Sequence, residues 1–149
     1  MPHVTFRSSQ FSSTPAPDAI NAMLGKDLAH WMRDQMAAAG FETGDVIAED
    51  YGYGFWLTLH DAHYWISHAQ YEPPETDKAP VWSVSMDDDP GCLWMWRLRK
   101  RPQPGDLLVI ARAVQDCLAA NPHVSEVQWW MPDGSSSPAP PPNGMNPVA

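Results

Sequence analysis

Between Glu49 and Ile66 the chain reads EDYGYGFWLTLHDAHYWI, and within it His60, Asp61 and His63 set two imidazoles and a carboxylate inside four residues. Imidazole nitrogen and carboxylate oxygen suit Zn²⁺ and similar ions. If Asp61 and Ala62 formed a two-residue hairpin loop, His60 and His63 would be cross-strand neighbours, with His68 on the opposite face. Three donors fall short of the four that close a structural zinc site. Solvent-facing turn histidines are therefore the expectation, with no cofactor, and a metal-dependent enzyme or sensor on His60, Asp61 and His63 is the alternative.

Other reactive side chains form no recognisable constellation. There is no phosphate-cradling P-loop, no GxGxxG after a strand, no GxSxG elbow and no HExxH. The acids Glu49 and Asp50 alternate across a strand and cannot act together on one substrate. Cys117 falls on an apolar helix face, as a buried, inert thiol would, and Cys92 has no partner histidine nearby in sequence. The run Asp87, Asp88, Asp89, Pro90, Gly91 lacks the spaced ligands and terminal Glu of a calcium loop and reads as a turn. A non-enzymatic role is expected.

Charge narrows the partners. The 149 residues carry a net −9, and residues 42–89 hold eleven acids against Lys78 alone, so the middle third is the acidic part. Such a field repels nucleic acid and anionic membranes and draws basic partners inward. Arg97, Arg99, Lys100 and Arg101 gather four of the nine basic residues, which could pair with those acids instead of with phosphate. No apolar run approaches the ~20 residues of a membrane span, the N-terminus lacks signal-peptide character, and the two cysteines form no CxxC pair or disulfide framework. A cytoplasmic location is the expectation.

The elements that would position these residues follow from periodicity. Val4 and Phe6 mark a strand over residues 3–7. Leu24, Leu28, Trp31, Met32, Met36 and Ala39 recur at helical spacing, predicting a helix over 18–39 with Gly40 as its left-handed cap. Strands are expected over 42–49, 53–60, 63–71 and 81–87, then a helix over 106–120 and a last strand over 124–131. From Pro132 onward six of eighteen residues are Pro, which predicts a flexible tail over 132–149 whose removal is harmless. The expected fold is one α+β domain over 1–131: about six mostly antiparallel strands with two helices packed on one face.

That arrangement leaves the other sheet face uncovered. Phe55, Leu57, Leu59, Tyr64 and Ile66 share the core side, whereas Trp56 and Trp65 point the opposite way. Of the Trp129–Trp130 pair, Trp130 joins them. Three tryptophans edged by Glu49, Asp50 and Glu126 form a candidate interface, since Trp is enriched among binding hot spots. A crossing loop or a homodimer partner would cover the same rings as ordinary structure.

The segments AAAGFE, EDYGYGFW, HYWI and HVSEVQWW together resemble a group of small uncharacterised bacterial α+β proteins, over roughly residues 24–130. In size, acidity and make-up the chain is also similar to bacterial immunity proteins and to type III secretion chaperones. The chaperone pattern usually interrupts its strands with a middle helix, which this sequence lacks. The resemblance transfers no catalytic residue. What it implies is an acidic, immunity-like or adaptor-like domain that binds a basic protein, with an effector-binding chaperone as the second choice.

Overall fold

The computed structural model describes residues 2–88 and 102–141. Cys92, the basic residues at 97–101 and the turn residues at 89–91 lie outside that range. The described strands are β1 (His3–Arg7), β2 (Glu42–Thr43), β3 (Ile47–Glu49), β4 (Gly52–Leu59), β5 (Ala62–Glu72), β6 (Val81–Asp87), β7 (Ser125–Trp130) and β8 (Ser136–Ser137). They form one antiparallel sheet in the order β2-β4-β5-β6-β1-β7-β8, with β3 also pairing β4. Among the described residues the α-helices are α1 (Lys26–Ala38) and α2 (Asp106–Ala120). The fold is a mixed α+β domain.

Each helix is amphipathic and buries one stripe. Leu28, Met32 and Met36 of α1 and Leu107, Ile110, Val114 and Leu118 of α2 join a single core. The sheet contributes Val4, Phe6, Phe55, Leu57, Tyr64, Ile66, Trp82, Val84, Met86 and Trp129, which alternation places on one face. Burial of such side chains stabilises by about 1.5–3 kcal/mol each, so this face and the two helices hold the domain together.

Local chemistry sets the boundaries. Gly25 sits at φ 110° and blocks any helix from running through it, so α1 begins at Lys26 and not at Asp18. A short 3₁₀ turn over Ile20–Ala22 occupies part of the expected first turns. At the other end Gly40 takes φ 99°, with Phe41 N–H donating to Met36 O and Gly40 N–H to Ala37 O. That is a Schellman cap, as the AAAGF pattern predicts. The strand expected over 42–49 is split into β2 and β3, with Gly44 N–H bonded to Trp56 O between them.

Two further corrections matter for the site. Among the described residues the sheet has eight strands instead of about six, and it continues past Met131. Met131 N–H bonds Ser135 O around Gly134, and Ser136 and Ser137 pair with Trp130 and Trp129. The boundary drawn at Pro132 thus cuts through a hairpin: the open edge of β7 has backbone groups to satisfy, and the serines supply them. The β4–β5 loop is also displaced by one residue. His60 and Asp61, at φ 51° and 61°, form the two-residue turn, because a type I′ turn needs positive φ at both positions and His and Asp tolerate it better than Ala. Leu59 then pairs with Ala62, Thr58 with His63 and Trp56 with Trp65. The strand side chains keep their expected faces with different partners, except His60, which now sits in the turn and reaches the helix side.

Candidate binding face

Two cross-strand rows organise the face turned away from the helices. One runs Trp56, Trp65, Asp87 across β4, β5 and β6; the next runs Gly54, Ser67, Ser85, His3, Trp130 and Ser136 across β4, β5, β6, β1, β7 and β8. Small side chains therefore floor the middle of the face, and aromatic rings stand at both sides.

The first aromatic group is built around Trp65. Its ring meets Trp56 with centroids 4.9 Å apart at 55°, and its indole N–H donates to the Tyr51 hydroxyl at 2.7 Å. Its ring comes so close to Gly54 that any Cβ there would overlap the indole. Glycine inside a strand marks such a close approach, and here it explains part of the GYG spacing. Glu49 pairs with Gly52 and Ile47 with Gly54, so both stand on the same side as Trp65. Burial raises the Tyr51 phenol above its ordinary pKa, and the charges of Glu49, Asp50 and Asp87 raise it further against the lowering effect of the Trp65 bond. The negative field at this end of the face thus reaches the aromatic ring itself.

The second group lies across the sheet. Trp130 stacks with His3 at 6.4 Å and donates its indole N–H to Thr5 at 3.0 Å, and His3 also meets Tyr71 at 6.5 Å. Three interstrand spacings separate β5 from β7, about 14 Å at ~4.8 Å each. All three tryptophans are half-buried, but they form two separate anchors. Glu126 sits at the bulge where the β1–β7 register shifts, at φ 53°, ion-paired with Arg7. Arg7 also reaches Glu72 at 3.8 Å. Glu126 is therefore already neutralised and stands on the far side of the sheet from Glu49 and Asp50.

The donors considered for a metal are directed apart. His60 donates Nδ1–H to Asp106 Oδ1 at 2.9 Å, on the helix side, whereas His63 lies 3.0 Å from the Thr58 hydroxyl on the outer face. Among the described residues no group of three or more His, Cys, Asp or Glu is placed to hold a metal ion. His68 turns into the core. It stacks on Phe55 and donates Nδ1–H to Tyr53 O at 3.1 Å, leaving Nε2 buried without a partner. Burial lowers its pKa from 6.5 to about 4.

Asp106 is the polar residue that sequence reading missed. At the start of α2, and almost wholly buried, it accepts from His60 and from the Tyr64 hydroxyl at 2.5 Å. Burial, and next the bond to Asp106, push the Tyr64 phenol well above its usual range. Tyr51, Asp87, His3 and Tyr71 were missed for a similar reason: a turn and distant strands bring them to the face. Gly54 was the available signal for Trp65. A groove of about 460 Å³ lies elsewhere, at the start of α1. Its lining residues Lys26 and Asp27 are already engaged by Asp18 and by Ser12 N–H, and it does not include the aromatic face.

Among the described residues no helix is long and apolar enough to cross a membrane. No family model, curated protein or solved structure matches the chain.

Proposed function

We propose that the chain is a non-enzymatic, acidic protein-binding domain, immunity-like or adaptor-like, which docks a basic protein through the sheet face bearing Trp56, Trp65 and Trp130. One observation carries the reading: the half-buried Trp56–Trp65–Tyr51 group stands on the face opposite the helices, beside Glu49, Asp50 and Asp87. Aromatic anchors with a polar, charged rim are the usual composition of a protein-docking patch, and the sign of the rim selects a cationic partner and speeds its approach. Trp130 supplies a second anchor about 14 Å away, so a partner must span about four residues of extended chain to touch both.

Co-purification from host cells tests the reading. The wild type and the variant Trp56→Ala/Trp65→Ala are compared by quantitative mass spectrometry, with Trp130→Ala as a separate arm. Loss of one basic protein from the double variant, with the fold retained, supports docking; an unchanged partner set removes it. Native mass spectrometry of the same samples tests homodimerisation, and fractionation tests the cytoplasmic location. An enzyme or sensor using His60, Asp61 and His63 would require metal in protein purified without an affinity tag, lost on His60→Ala.

A further inference from the structure

We propose that the Tyr51–Trp56–Trp65 end of the face reads arginine: a guanidinium of the bound protein stacks on the aromatic surface and is held at its edge by the Glu49 carboxylate, with Asp50, in the turn after β3, adding to the negative field. This rests on the docking face just described and adds the chemistry of its occupant.

The platform is preorganised. The Trp65 indole N–H is already bonded to Tyr51, and its ring is set against Trp56 and over Gly54. With that donor occupied, Trp65 has a π-face to offer and no hydrogen for an acceptor ligand. A π-face attracts cations through its quadrupole, and indole does so best.

The charge is also one-sided. Arg7 holds Glu72, at the end of β5, and Glu126, on β7, whereas no salt bridge among the described residues involves Glu49 or Asp50. A cation approaching the face is therefore drawn to the Tyr51 end. Guanidinium fits this pairing of ring and carboxylate better than ammonium does. It is planar, more weakly hydrated and able to bond a carboxylate through two N–H groups while it stacks.

The test uses the full chain, labelled with ¹⁵N, titrated with argininamide, lysinamide and citrullinamide while the Trp56 and Trp65 indole N–H signals are followed. Argininamide is expected to shift the Trp65 signal with at least five-fold higher affinity than lysinamide, and neutral citrullinamide to leave it in place. Glu49→Gln/Asp50→Asn should remove the response with the remaining amide spectrum unchanged, and Trp130→Ala should retain it. Equal response to the lysine and arginine probes, or no response, overturns the proposal. So does a response that appears only in Arg97→Ser/Arg99→Ser, which would assign the platform to the chain's own basic run. If Trp56→Ala/Trp65→Ala loses its partner while arginine selectivity is absent, the docking face stands and the arginine subsite falls.

Discussion

His60 and Asp106 lie 46 positions apart in the chain, yet the imidazole at the β4–β5 tip donates to the carboxylate at the start of α2 at 2.9 Å. The carboxylate is 4% exposed and the imidazole 56%, so the buried acid is satisfied by one exposed and one buried donor, His60 and Tyr64. This joint ties the hairpin to the helix. Asp106→Ala should destabilise the domain by about 1–3 kcal/mol, because it strands the buried Tyr64 hydroxyl's donor. Urea unfolding measures the loss, and His60→Ala should cost less, since its ring is half in water.

The buried His68 imidazole predicts an acid-sensitive fold. Its folded pKa, about 4, lies below its ordinary 6.5, so between those values the unfolded chain takes up a proton that the folded one refuses. Stability from this residue is complete above pH 6.5, falls as the pH drops and levels off below about 4, with a total change on the order of 3 kcal/mol. His68→Phe should flatten that limb. Denaturation at pH 7 and pH 4.5, wild type against variant, checks it; equal slopes would show that another group drives acid unfolding.

Gly54→Ala should disturb the binding face first. The added methyl meets the Trp65 ring, and it also crowds Ile66 O at 2.8 Å, so an overpacking cost of about 1–3 kcal/mol is expected. A shift in tryptophan fluorescence and loss of the Trp65–Tyr51 bond should accompany it. Trp65→Ala in the same background should relieve the clash with the ring but not the contact with Ile66 O, so only part of that stability should return.

Ending the chain at Met131 should lower stability. Ser136 and Ser137 pair with Trp130 and Trp129, and Met131 N–H bonds Ser135 O; removal returns those groups to water, at about 0.5–1.5 kcal/mol per lost bond. An unchanged melting temperature would instead make the hairpin dispensable.

Alternation and spacing settled a good deal by themselves. Val4 and Phe6, the Leu28–Met32–Met36 stripe, the Gly40 cap and the helix at Asp106–Ala120 are local patterns, and the separation of Trp56 and Trp65 from Phe55 and Tyr64 follows from a period of two. These properties belong to short stretches, so sequence carries them. What joins distant stretches is decided only in three dimensions. The loop at His60–Asp61 was fixed by which residues tolerate positive φ, and that one-residue choice brought Trp56 opposite Trp65 and freed His60 to reach Asp106. Likewise Arg7, on the first strand, neutralises Glu126 on the seventh, which left Glu49 and Asp50 as the charged edge of the face. Such pairings depend on strand order and register, and neither has a local signature, because the same alternating pattern can pair with any neighbour of matching period.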